Sequence, residues 1–127
     1  MTRGIRGATT VKENDKQEIL DHTLSLLKEM IEKNDVKAED VSHVFISVTN
    51  DLNAVFPAQS LRQIPGWTYV PVMCMREIDV PGSLPKCIRI MMVVNTDKAQ
   101  TEIQHIYHQY AVKLRPDLVA KKEANQS

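Results

Sequence analysis

Cysteine, glycine and net charge are all in short supply here. The two cysteines, Cys74 and Cys87, in 127 residues are too few for a disulfide scaffold and lack the paired spacing of a structural zinc site. As free thiols they point to a reducing compartment. The four glycines form neither a phosphate loop nor a dinucleotide fingerprint, and the Gly-x-Ser-x-Gly and His-Glu-x-x-His signatures do not occur. Sixteen basic residues cancel sixteen acidic ones, so no overall field draws the chain to nucleic acid or to an anionic membrane. Any bound anion has to be met by local arginines. No apolar run approaches the roughly 18 residues of a membrane span, and the first residues lack the apolar core of a signal peptide. The expectation is a cytoplasmic protein without nucleic-acid or membrane partners.

What is present is ordinary for one folded unit: 43% hydrophobic and 25% charged residues. The length allows one domain, expected over residues 1–118, with a polar, aperiodic tail over 119–127. A first strand over 3–11 leads to a helix opened by Asp15 and Glu18, a capping-box-like pair. Leu20, Leu24, Leu27 and Ile31 line one face of that helix, and Asn34 and Asp35 close it. A strand rich in Val, Ile and Phe follows over 41–48, then a short helix over 57–63 ended by Pro65 and Gly66. A third strand is expected over 67–75, with Pro71 marking a sheet edge or bulge. The strongest strand signal lies over 86–95. One of its faces carries Cys87, Arg89, Met91 and Val93, the other Ile88, Ile90, Met92 and Val94. Ile103, Ile106, Tyr107 and Tyr110 recur at helical spacing and predict a second main helix, followed by a final strand over 111–114 and a break at Arg115 and Pro116. The fold class is α+β, a mixed sheet with helices on one face. Two helices leave the other, partly apolar face uncovered, so self-association is expected.

Few side chains stand out as chemistry. His22, His43, His105 and His108 lack ligand spacing apart from the i, i+3 pair at the end, which reads as a solvated helix face rather than a metal site. Arg6, in a strand bracketed by Gly4 and Gly7, either reaches an anion or is an ordinary exposed residue. Arg89 points onto an apolar face, where a guanidinium must be paired or must serve a ligand; an ion pair with Glu77 is the structural alternative. Cys74, Arg76 and Glu77 end a strand just before a loop, a common place for groups that orient a small ligand. Tyr107 is either core or a donor. Together Arg6, Arg89 and Tyr107 suit a carboxylate-bearing ligand, although spacing alone does not bring them together.

Three stretches resemble the AroH-class chorismate mutases: Arg3-Gly-Ile-Arg-Gly-Ala-Thr-Thr10, Asp51-Leu-Asn-Ala-Val-Phe-Pro-Ala58 and Cys87-Ile-Arg-Ile-Met-Met92. The segments from Gly66-Trp67 through Val70 to Glu77, and from Leu114-Arg115-Pro116 to Leu118, look like the same family in the same order. The resemblance implies a chorismate mutase fold, described as ferredoxin-like in topology, assembling as a homotrimeric pseudo-α/β-barrel with sites between subunits. It implies an isomerase of the shikimate pathway that rearranges chorismate to prephenate for phenylalanine and tyrosine biosynthesis without cofactor or metal. It assigns Arg89, Glu77 and Arg6 to catalysis. It lines the substrate site with Met73, Cys74, Met75, Arg76 and Tyr107 beside those three, together with Leu114. Phe56, Ala58 and Arg62 match the neighbouring subunit's contribution. The reaction is pericyclic, so missing nucleophiles and bases are expected. What it needs is a dianion held in its folded conformer and positive charge at the ether oxygen. Gln59 stands where a relative carries lysine, and Met73 where it carries a smaller polar residue; both bear on attraction and pocket shape. Two rival readings are a RidA-type imine deaminase, which shares a trimeric fold, and a non-catalytic binding module for a carboxylate metabolite.

Overall fold

The computed structural model describes residues 1–114. Its order is β1 (Thr2–Thr10), α1 (Lys16–Lys33), β2 (Val41–Val48), α2 (Gln59–Arg62), β3 (Val72–Arg76), β4 (Cys87–Asn95) and β5 (Ile106–Tyr107). The strands form one mixed sheet ordered β3-β2-β4-β1-β5. Because β4 is antiparallel to both β1 and β2, those two are parallel, and α1 connects them past β4 as a split βαβ unit. The edge strands β3 and β5 run parallel to β2 and β1 respectively. A ferredoxin-like course is therefore recognisable as far as β4; after it no second crossover helix returns among the described residues.

Helix α1 forms where the caps and periodicity place it. The Asp15 carboxylate accepts the Glu18 amide at 2.9 Å, satisfying one of the orphan donors of the first turn. The Glu18 carboxylate turns instead to the Lys12 amide at 2.5 Å, tying the helix to the end of β1. The buried stripe is Ile19, Leu20, Thr23, Leu26, Leu27 and Met30, so Leu24 and Ile31 lie at its margin, half-buried. This helix sits close on β1 at Gly7, where any Cβ would overlap the Met30 side chain.

The predicted second helix and final strand are both corrected. Over 103–110 the chain is not α-helical: Gln100–Glu102 is one 3-10 turn, β5 follows, and Gln109–Lys113 is a second 3-10 segment that, with Leu114 as its cap, takes up the residues expected as a last strand. Ile103 and Ile106 are buried and Tyr110 is exposed, so the period-3.6 pattern recorded which residues meet the core, not the backbone that brings them there. The outer edge of β1 supplies the competing force, because its amides and carbonyls need partners. Gly7 and Ala8 pair with Ile106 and Tyr107, and the His108 amide donates to the Ala8 carbonyl at 2.9 Å. The third strand is also shorter than expected. Residues 67–71 are turns, and Trp67 is buried in the core. Pro71 does lie at the sheet's edge, its carbonyl accepting the Val44 amide at 2.9 Å. The expected tail over 119–127 and the break at Arg115 and Pro116 lie outside the described residues.

Strand β4 sits at the centre. Ile88, Ile90, Met92 and Val94 are buried with α1 on their side, alongside Ile5 of β1 and Val44 and Ile46 of β2. The other face has no α-helix on it among the described residues. It exposes Phe45, Met73, Met75 and Met91, and near Ala8 and Thr10 it is closed by the Gln109–Lys113 turn, whose Tyr110 amide donates to the Thr10 hydroxyl at 3.3 Å.

Candidate functional site

Strand register gathers one set of polar groups on the open face. Met75, Ser47, Arg89, Ala8 and Tyr107 occupy one row across all five strands, because Ser47 opposes Met75 and Arg89, and Ala8 opposes Arg89 and Tyr107. Arg6 lies one pleat along β1 on the same face, opposite Met91. It is thus a diagonal neighbour of Arg89, roughly 7–8 Å away between strands, and stands diagonally to Tyr107 as well. Between these three side chains Ala8, fully buried, contributes only a methyl group. Arg6, Arg89 and Tyr107 thus surround a small floor, with five-donor guanidinium groups on two sides.

The carboxylate beside Arg89 belongs to Glu77. Its amide donates to the Val48 carbonyl at 2.9 Å, which continues the β3 course for one more residue. The Ser47 hydroxyl donates to one Glu77 oxygen at 2.6 Å, and the other oxygen stands 3.7 Å from Arg89 Nε. That separation is an ion pair but too long for a hydrogen bond. Arg89 Nε is buried and meets no hydrogen-bond acceptor among the described residues. A buried donor without an acceptor is costly, which makes this Nε a candidate contact for a ligand. The Cys87 thiol, also on this face, is pushed above its ordinary pKa by burial, while the adjacent Arg89 pulls it down.

The remaining predicted residues gather elsewhere. Cys74 opposes Ile46 on the helix-backed face, the reverse of the Arg89 face. Burial raises its thiol pKa, opposed by the Ala58 backbone and by the Arg62 charge, which places Cys74, Ala58 and Arg62 together. A cavity of about 530 Å³ at this edge is lined by Leu52, Phe56, Gln59, Cys74, Met75 and Arg76. Phe56 is 71% exposed, an unusual position for so large an apolar ring. Arg76 is turned to Asn50, its guanidinium donating to the side-chain oxygen at 3.2 Å. Met73 is exposed in the row with Phe45 and Met91. Leu114, half-buried, closes the Gln109–Lys113 turn.

One chain therefore brings together Arg6, Glu77, Arg89 and Tyr107 at one location and Phe56, Ala58, Arg62 and Cys74 at another. The second lies at the β3 edge and Tyr107 at the β5 edge, four strand spacings or roughly 19 Å apart. Sequence reasoning missed Ser47 and Ala8. The alternation over 41–48 does place a hydroxyl at Ser47 on the face away from Val44 and Ile46, but nothing in the sequence pairs it with Glu77. The two histidines at i, i+3 do not share a helix face: His105 Nδ1 accepts the Arg6 amide at 2.9 Å, and His108 contacts Glu29.

Comparison with known proteins decides what this arrangement belongs to. A family model described as chorismate mutase type I matches residues 2–118. The chain belongs to that family. It is 54% identical to chorismate mutase AroH of Bacillus subtilis (strain 168) over 122 residues, 96% of either chain. With chorismate mutase AroH of Thermus thermophilus it shares 46% identity over 119 residues, covering 93% of this chain and 97% of the other. Among solved structures, a chorismate mutase from Clostridium thermocellum superposes with a TM-score of 0.82 at 54% identity, covering 85% of this chain and 96% of that one. As a type I chorismate mutase the protein is an enzyme of aromatic amino acid biosynthesis, and the deaminase and passive-binding readings give way. No helix among the described residues is long and apolar enough to cross a membrane.

Proposed function

We propose that this chorismate mutase converts chorismate to prephenate at sites shared between neighbouring copies in a homotrimer, using electrostatics and conformer selection alone. The buried Arg89 Nε, which meets no hydrogen-bond acceptor among the described residues, carries this reading. In the rearrangement one carbon-oxygen bond breaks as one carbon-carbon bond forms within a single molecule, so no proton, electron or leaving group has to be exchanged with the protein. As the ether oxygen gains electron density, a fixed guanidinium beside it stabilises the transition state more than the ground state. Arg89 takes that role. Arg6 and Tyr107 hold a carboxylate of the dianion and favour its folded conformer, and Glu77, fixed by Ser47, orients the ring hydroxyl.

The other cluster supplies the far wall. Phe56, Ala58 and Arg62 come from the adjacent copy, while Met73 and Cys74 lie on the strand that leads to Glu77, and Leu114 lies near the mouth. Two observations support this. Cys74, with Ala58 and Arg62 near it, lies on the sheet face opposite to Arg89, and the exposed Phe45, Met73 and Met91 form an apolar face that a second copy would cover. Cytoplasmic residence is part of the same reading and rests on the two free thiols.

The deciding experiment is conversion of chorismate by the purified protein in chelator-containing, metal-free buffer, with prephenate identified as product and Arg89→Ala as control. Prephenate from the wild type alone is the expected result; equal rates for a folded Arg89→Ala protein would remove Arg89 from the mechanism. Shared sites are tested by refolding Arg89→Ala together with Arg62→Ala, each nearly inactive alone. Random assembly leaves about a quarter of shared sites intact, so activity should reappear in the mixture, whereas sites confined to single copies would give none.

A further inference from the structure

The strand that carries Tyr107 is only two residues long, too short to hold itself. It lies at the sheet edge, and side chains take over where its backbone ladder stops. The most complete of these contacts is made by Asn34, the residue that ends α1. Asn34 is a buried polar residue. Its side-chain oxygen accepts the Gln104 amide at 2.7 Å, while its side-chain nitrogen donates to the Gln104 carbonyl at 2.8 Å and to the Met30 carbonyl at 2.9 Å. One side-chain amide thus reproduces both bonds of a backbone rung and fixes that rung to the last turn of α1. Its own carbonyl accepts the Lys98 ammonium at 2.9 Å. One residue on, His105 Nδ1 accepts the Arg6 amide, and beyond Tyr107, His108 contacts Glu29 of α1. The strap from 104 to 108 is therefore anchored ahead of Tyr107 by Asn34 and behind it by His108.

From this geometry we propose that Asn34 is a positioning residue for the mutase reaction: through the Gln104 rung it sets the height of β5 and so the place of Tyr107 beside Arg6 and Arg89. This rests on the role for Tyr107 given above. An Asn satisfied on both its oxygen and its nitrogen loses all three bonds when cut to alanine, leaving the buried Met30 carbonyl and the part-buried amide and carbonyl of Gln104 without these partners. The strap then keeps its ladder to β1, the buried Ile106 and the His105 and His108 contacts but loses its rung to α1, and a small displacement of a positioned donor is expensive in rate.

The test is a double-mutant cycle on chorismate turnover with amide hydrogen exchange on the same proteins. Asn34→Ala is expected to lower kcat/KM roughly tenfold, less than the hundredfold that a displacement of about 1 Å can cost, and to speed exchange over 104–108 while 88–94 stays protected. In a Tyr107→Phe background the same substitution should cause no further loss. Asn34→Gln, which keeps an amide able to accept from and donate to Gln104, should recover part of the loss and provides the measurement if the alanine variant fails to fold. Equal losses in both backgrounds, or faster exchange over 104–108 with unchanged kcat/KM, would overturn the proposal. Wild-type kcat/KM in Tyr107→Phe alone would retire the Tyr107 role itself, and with it the effect assigned to Asn34, while the exchange data would still report whether Asn34 holds the strap.

Discussion

The two faces of β4 carry similar amounts of hydrocarbon and meet different fates. Ile88, Ile90, Met92 and Val94 lie under α1 and are buried, whereas Met91 is 39% exposed and Arg89 and Val93 are half-buried. The helix-backed face is finished within one chain. The other presents Phe45, Met73 and Met91 around a guanidinium whose Nε has no hydrogen-bond acceptor among the described residues. On the function proposed above, one face stores stability and the other takes a ligand and a neighbouring copy, so substitutions one residue apart on the same strand should separate activity from folding.

The largest separation is expected at Arg89. Arg89→Ala should cost at least a hundredfold to a thousandfold in kcat, in line with the removal of one oxyanion-type donor, while circular dichroism and melting change little. Arg89→Lys keeps the charge but loses the planar fork, so a substantial loss should remain; near-normal turnover there would argue against the assignment. One residue along, Ile90→Ala should do the reverse, destabilising the fold by about 2–5 kcal/mol in urea titrations with kcat per folded site retained. A comparable loss of kcat would show that the faces are not separable.

Smaller effects refine the contrast. Gly7→Ala places a methyl group where the buried Met30 side chain lies, and overpacking of this kind costs about 1–3 kcal/mol. Pairing it with Met30→Ala, which empties that space, should cancel part of the penalty in a double-mutant cycle. On the open face, Phe45→Lys should weaken association, read as a concentration-dependent shift in sedimentation, with little change in secondary structure. Unchanged association would show that copies do not meet there.

The smallest effect is set by pH. Burial raises the thiol pKa of Cys74 and of Cys87 in the folded protein. A raised folded pKa favours the protonated thiol, so its stabilising contribution is complete below the unfolded value of about 8.5 and is lost as pH rises through the folded value. Stability should therefore fall slightly on the alkaline side, and less in Cys87→Ala than in the wild type, as denaturant titrations at neutral and alkaline pH would show.

Much of this was readable beforehand, for specific reasons. Asp15 begins α1 because its carboxylate has one local task, and residues 41–48 form a strand because β-branched side chains alternate across it. Arg89 could be singled out because a charge on an apolar face needs an explanation whatever surrounds it. The resemblance of five collinear motifs carried the activity, which residue chemistry alone left open. The course over 103–110 was misread because burial of Ile103 and Ile106 fits a helix as well as an edge strand with flanking turns. Only the unfilled edge of β1 and the distant Asn34 choose between them. Cys74 could be placed near Glu77 by sequence, yet strand alternation turns it to the opposite face.

By itself the sequence determined α1, β2 and the central strand with its two unlike faces, and its collinear motifs carried the family. The elements depend on propensity, capping and alternation, which act within a few residues. Tertiary structure decided the strand order, the row that puts Ser47, Arg89, Ala8 and Tyr107 side by side, and the conversion of a helix-like pattern into a strap held by Asn34. Each of these joins residues tens of positions apart, and only the register of a completed sheet fixes such distances.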